Sequence, residues 1–232
     1  MDRISKSSLA TFMKCRRQYY YSLLGYEFKP NEAMVYGTEL HKALEKYNSS
    51  LIKGDEPNYR GLKLEHINNL DGYKKIIETK LLPEGYKIYS SEMPVGFGSI
   101  FGYIDAIFSR EINGKTEFLI LEYKSVVSKI FSTTNLDKYL FELQVYKYLF
   151  SRARSVDESI IRLGVIRFEQ YGLGCDIKIF SQTDSYQSVI DDINKMQIFV
   201  ENSSGSISEF PKVSEDKTAS ECSWCPFYNM CE

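Results

Sequence analysis

A chain of 232 residues, 43% hydrophobic and 26% charged, is long enough for one large globular domain with appendages. A formal net charge of -2 excludes the bulk polycation of a nucleic-acid coating protein, though not a local basic groove. No apolar run reaches the roughly 18 residues of a membrane span, and the first residues lack an apolar signal core. Five cysteines without such a signal therefore predict a reducing, cytoplasmic setting rather than a disulfide scaffold.

In chain order, residues 7–24 read as a helix. Ser7 or Ser8 caps it, Leu9, Phe12, Met13, Tyr19, Tyr20 and Leu23 supply its apolar face, and Cys15 lies inside it beside Lys14, Arg16 and Arg17. Residues 34–53 repeat apolar positions at helical spacing and carry His41, one turn after Gly37; residues 60–81 form a third helix. From Lys87 the period shortens. Residues 87–95, 100–110 and 116–124 read as consecutive strands, with Gly96, Gly98 and the Asn113-Gly114 pair as turn signals. A helix over 134–152, strands over 160–168 and 175–181, and an amphipathic helix over 184–201 follow. Beyond them lie a Ser/Gly linker and a Cys-rich tail. This order predicts an α/β fold with a mixed central sheet flanked by helices. We expect three parts: an N-terminal helical segment (1–33), a core (34–202) and a C-terminal tail (203–232).

The stretch from Phe101 to Lys124 carries the most chemistry. Asp105 sits within one apolar run, and Glu122 and Lys124 close the next. Side chains two apart on a strand share a face, so Glu122 and Lys124 point one way while Leu121 and Tyr123 point the other. A hairpin would bring Asp105 to the same spot. Two carboxylates and an ammonium there suit a divalent cation activating water against a phosphodiester. Mg²⁺ or Mn²⁺ takes oxygen ligands, for which Asp105, Glu122 and the Tyr123 carbonyl are available. Lys124 would position or deprotonate the attacking water and offset developing negative charge. A Glu-x-Lys alone is usually an exposed ion pair, but these residues end or interrupt runs that look buried, where charges need partners or metal.

The tail reads Cys222-Ser-Trp-Cys225-Pro-Phe-Tyr-Asn-Met-Cys231. Three thiols so close point to metal binding, and they leave one place in a four-thiolate site for Cys15 or Cys175. Zinc and an iron–sulfur cluster both accept that donor set.

Several motifs together resemble one family. Gly102-Tyr-Ile-Asp105 followed by Glu122-Tyr-Lys124 resembles the core of the PD-(D/E)xK nuclease superfamily. Gly37-Thr-Glu-Leu-His41 and Gln144-Val-Tyr-Lys-Tyr148 resemble the Gly-x-x-x-His and Gln-x-x-x-Tyr motifs of its RecB-type exonucleases, and residues 8–19 resemble their Cys-bearing first helix. The likeness is greatest to the small stand-alone members, the CRISPR-associated RecB-like exonucleases and their phage relatives. It implies a restriction-endonuclease-like core and a metal-dependent exonuclease acting on single-stranded DNA or DNA ends. The pathway implied is recombination, repair or CRISPR spacer acquisition. A non-catalytic, cluster-bearing DNA-binding subunit is the alternative. The resemblance adds His41 as a metal ligand and gives Gln144 and Tyr148 a DNA-contacting role, with Arg16 and Arg17 near phosphates. Glu92 stands on the strand before Asp105, where the family often has an acid. Cys15, Cys222, Cys225 and Cys231 would hold a [4Fe-4S] cluster tying the chain's ends together. The sequence has no helicase motif, so unwinding would need a partner; the implied partners are DNA and a helicase, recombinase or CRISPR adaptation protein, with no membrane.

Overall fold

The computed structural model describes residues 4–26, 29–126, 133–170, 174–181, 187–213, 222 and 225–231. The chain forms two compact units. One comprises Met1–Lys29 and Ser185–Glu232, the other Pro30–Asp184.

In the terminal unit a two-residue strand, β1 (Ile4–Ser5), leads into α1 (Lys6–Lys14) and α2 (Arg16–Leu23); α6 (Gln187–Asn202) belongs to the same unit. The sequence predicts one helix over 7–24 with Cys15 inside it. The structure breaks that helix at Cys15, which is extended (φ -160°, ψ 112°). Cys15 ends α1 by donating its N–H to the Thr11 carbonyl, and its own carbonyl accepts from Tyr19 at 3.1 Å to open α2. The cap of α1 is Ser5, whose hydroxyl accepts the Ser8 N–H at 3.0 Å. Leu9, Phe12 and Tyr19 are buried, and Phe12 packs on Phe199 of α6 with ring centres 5.2 Å apart. α6 packs on α1.

The central unit begins with α3 (Glu32–Lys53). Asn31 caps it by accepting the Met34 N–H, and Gly54 ends it in the left-handed conformation (φ 76°). Next comes α4 (Leu64–Ile76), which passes into a π turn at Ile77–Leu81 and a 3₁₀ turn at Leu82–Glu84, so the predicted helix over 60–81 is shorter and ends irregularly. The strands are β2 (Lys87–Phe97), β3 (Ile100–Ile112), β4 (Lys115–Val126), β5 (Ile161–Glu169) and β6 (Cys175–Ile179), with α5 (Thr133–Arg154) between β4 and β5. β2 pairs antiparallel with β3, and β3 with β4. β5 lies parallel to β4 and β6 antiparallel to β5. Asn113 (φ 51°) and Gly114 (φ 73°) close the β3–β4 hairpin, both left-handed, which is the backbone an Asn-Gly turn favours. A parallel pair requires a crossover, and α5 supplies it.

Strand alternation divides the core between two faces. Ala106, Phe108, Leu119, Leu121, Tyr123, Ile166 and Phe168 pack with Leu40, Leu44, Leu70 and Tyr73 of α3 and α4. Ile107, Ile120 and Val165, of opposite parity, are fully buried on the other face, where α5 contacts the sheet. The result is a mixed sheet flanked by helices, the architecture expected from the element order. Among the described residues, no helix is long and apolar enough to cross a membrane.

Candidate active site

Five elements of the central unit deliver polar side chains to one region: α3, β2, β3, β4 and α5. Asp105 lies one residue before the β3–β4 ladder begins at Ala106↔Leu121. Its carboxylate takes the place of a strand partner. Oδ2 accepts the Tyr123 N–H at 2.6 Å, which satisfies a buried backbone donor. Oδ1 lies 3.4 Å from His41 Nδ1. Asp105 is 7% exposed.

His41 reaches Asp105 because α3 lies close to the sheet one turn earlier. A Cβ at Gly37 would stand 3.0 Å from Ser125 Oγ of β4, closer than packed side chains normally come. Gly37 thus admits β4 at a position where a larger residue would push the helix away. Burial lowers the His41 pKa, but the hydrogen bond and charge of Asp105, with Glu122 and Glu92 behind it, outweigh that and raise it overall.

Glu92 completes the group. It lies between Ser91, paired with Ala106, and Met93, paired with Ile104, and so stands across from Asp105. Its φ of 48° is unusual for a non-glycine residue within a strand, and such strain is characteristic of positions that serve a site. One ligand atom from each of His41, Glu92 and Asp105 lies within 4.8 Å of the others. Burial, followed by the Asp105 carboxylate, pushes the Glu92 pKa up to about 7. Two carboxylates with an imidazole are a fitting donor set for Mn²⁺ or Mg²⁺, and a divalent charge would offset the burial and the Asp105 charge that together raise Glu92.

Glu122 and Lys124 share a face, as strand alternation predicts. The Lys124 ammonium lies 2.6 Å from Glu122 Oε1 and 2.7 Å from Glu142 Oε2 of α5, and 5.5 Å from the centre of the Tyr139 ring. Glu122 stands outside the His41–Glu92–Asp105 group, yet its charge reaches both His41 and Glu92. Glu142, 6% exposed, is absent from the sequence reading. A signal for it exists: it lies three residues after Tyr139 and four before Tyr146, both buried, so an acid occupies a buried helix face.

Gln144 and Tyr148 lie farther along α5, both half-buried. Tyr148 meets Phe97 of β2 edge-on at 5.9 Å, and the Arg152 guanidinium lies 5.7 Å from the Tyr148 ring centre.

In the terminal unit, Cys15, Cys222, Cys225 and Cys231 line one pocket with Arg17, Gln18, Tyr21, Lys212, Val213 and Tyr228. The Tyr21 hydroxyl donates to the Met230 carbonyl at 2.6 Å, and Arg17 Nε to the Phe210 carbonyl at 2.7 Å, which bind α2 to the C-terminal segment. Arg16 lies over the rings of Phe12 and Phe199. Burial raises the Cys225 pKa, and Cys15 and Cys231 add to the rise. Cys175 belongs to β6 of the central unit and its side chain abuts Gly72.

The sequence profile described as "PD-(D/E)XK nuclease superfamily" matches residues 3–232. A search of curated proteins found no match. Among solved structures, the chain is similar to a protein of Eubacterium rectale named "Putative exonuclease", at 14% identity and a TM-score of 0.56, covering 96% of this chain and 87% of that one. A second, SSO0001, aligns at 16% identity and a TM-score of 0.46 over 100% of this chain and 86% of its own. At these identities the first likeness bears on the fold, and the second carries no argument.

Proposed function

The chain belongs to the PD-(D/E)XK nuclease superfamily, and we propose that it is a metal-dependent DNA exonuclease acting on single-stranded DNA or DNA ends. The observation carrying this reading is the convergence of His41, Glu92 and Asp105 within 4.8 Å, beside a lysine held between two carboxylates. His41, Asp105, Glu122 and the Tyr123 carbonyl would hold Mg²⁺ or Mn²⁺, with Glu92 as a further ligand. Bound there, the ion supplies charge neutralisation at the phosphate and a water of lowered pKa. Lys124, steadied by Glu122 and Glu142, presents an N–H to the attacking water or a phosphate oxygen and offsets the negative charge that develops there. Gln144 and Tyr148 contact the DNA strand from α5. The pathway proposed is recombination, repair or CRISPR spacer acquisition, with unwinding left to a partner.

For the terminal unit the reading is a [4Fe-4S] cluster on Cys15, Cys222, Cys225 and Cys231, supported by their meeting at one pocket. Such a cluster staples the C-terminal segment to the α1–α2 region, and Arg16 and Arg17 then lie beside it on α2, where phosphates could approach.

The test is digestion of end-labelled single-stranded DNA with Mg²⁺, Mn²⁺ or EDTA. Degradation that needs the metal and stops in Asp105→Ala and Lys124→Ala is expected. Wild-type activity in both variants would place the chemistry elsewhere.

A further inference from the structure

Behind Asp105, the α3/α4 side of the core contains a cluster of fully or nearly fully buried polar groups. Asn48 and Tyr73 are 0% exposed and Tyr123 is 2% exposed. Their hydrogen bonds can be assigned by counting protons. The Tyr73 hydroxyl donates to Asn48 Oδ1 at 2.9 Å. That uses its one proton, so the 2.6 Å contact between the Tyr73 and Tyr123 hydroxyls takes its proton from Tyr123. The Tyr123 oxygen in turn accepts an N–H of Asn48 at 3.0 Å. Three groups thus form a closed ring in which each donates to the next. The same assignment orients the Asn48 amide.

The second N–H of Asn48 leaves the ring. It donates to Ser91 Oγ at 3.3 Å, and the Ser91 hydroxyl donates to the Asp105 carbonyl at 3.1 Å. The ring therefore touches Asp105 by two routes: through Ser91 to its main chain, and through Tyr123, whose backbone N–H donates to Asp105 Oδ2.

We propose that Asn48 is a positioning residue of the metal centre, one that holds the Asp105 carboxylate and the Tyr123 main chain in register through the Asn48–Tyr73–Tyr123 ring and Ser91. This inference rests on the reading of Asp105 as a metal ligand. The ring is buried on all sides, so no water competes for its bonds, and neighbouring hydrogen bonds in such a cycle polarise one another. Removing one hydroxyl leaves a buried partner unsatisfied and loosens the group that holds Asp105. Ligand-orienting hydrogen bonds of this kind typically carry roughly 10–100-fold in metal affinity.

The experiment titrates Mn²⁺ into the full chain by calorimetry, with melting curves in EDTA alongside. Ser91→Ala breaks the direct route to the Asp105 carbonyl. Tyr73→Phe opens the ring by removing the acceptor of the Tyr123 hydroxyl, while Asp105 and Tyr123 themselves stay unsubstituted. Tyr47→Phe is the control: its ring packs edge-on against Tyr73 at 5.6 Å. We expect Ser91→Ala and Tyr73→Phe to weaken Mn²⁺ binding by roughly 10–100-fold, and Tyr47→Phe to bind as wild type does. Wild-type affinity in both Ser91→Ala and Tyr73→Phe, with Asp105→Ala binding no Mn²⁺, would overturn the positioning role and leave the metal centre standing. Equal binding by wild type and Asp105→Ala would overturn the metal centre and the inference with it.

Discussion

Replacing Lys124 with Met removes the ammonium that lies 2.6 Å from Glu122 and 2.7 Å from Glu142 while keeping most of the side-chain volume. The side chains of both carboxylates are under a tenth exposed, and that of Lys124 is 24% exposed. Loss of one member of a buried, hydrogen-bonded charge group costs about 3–5 kcal/mol, because the remaining charges keep their desolvation penalty and lose their partner. For a unit of this size each kcal/mol shifts Tm by about 2–4 °C, so Lys124→Met should lower the melting temperature by about 6–20 °C in EDTA. Part of the loss should return in Lys124→Met/Glu142→Gln, where one of the two facing negative charges is gone. Mn²⁺ should also restore part of it by neutralising the site. Scanning calorimetry of wild type, both single variants and the double variant completes the cycle. A Lys124→Met shift below about 3 °C, or a double variant no more stable than Lys124→Met, would refute the reasoning and place the ammonium in a weakly coupled surface pair.

The pH dependence has a definite sign. Glu92, with a folded pKa of about 7 against an ordinary 4.5, binds its proton more tightly when folded, so its contribution to stability declines as pH rises from 4.5 to about 7. The raised pKa of His41 acts in the same direction: its contribution is complete below 6.5 and is lost as pH rises through the folded value. In EDTA, melting temperature should therefore fall across this window more steeply in wild type than in Glu92→Gln; parallel curves would show that Glu92 is not so perturbed. Anaerobically purified protein should be brown with broad visible absorption, which Cys15→Ser should lose and Cys175→Ser keep; colourless protein with stoichiometric zinc would remove the cluster. Gly164→Ala should destabilise by about 1–3 kcal/mol, since its Cβ would stand 2.8 Å from Leu121 Cδ2 and 3.2 Å from the Lys178 carbonyl oxygen, and unchanged denaturant unfolding would show that the sheet yields there.

Much of the site was legible because strand geometry is rigid. The period of two places Glu122 and Lys124 on one face and Leu121 and Tyr123 in the α3/α4 core, and the Asn-Gly turn sets the hairpin that brings β3 beside β4. The helix motifs came from the family resemblance and not from periodicity: Gly37 and His41 are one turn apart, and Gly37 is where α3 meets Ser125. The interruption at Cys15 was not legible, because the flanking residues Phe12, Tyr19 and Tyr20 continue an apolar pattern across it.

Local pattern thus gave most of the element order and the strand faces, and it singled out Asp105, Glu122 and Lys124 as candidates that the family resemblance then joined. The tertiary structure decided what surrounds that set. Glu142 arrives from α5, Glu92 is turned inward by a left-handed backbone, and Asn48, Tyr73 and Tyr123 close a ring behind Asp105. These partners are 18 residues or more from the groups they meet in the hydrogen-bonded pairs Lys124–Glu142, Asn48–Tyr73 and Asn48–Tyr123. Periodicity reports which face a side chain takes on its own element. Which distant side chain shares that space depends on how helices and sheet pack, and that is settled when the core closes.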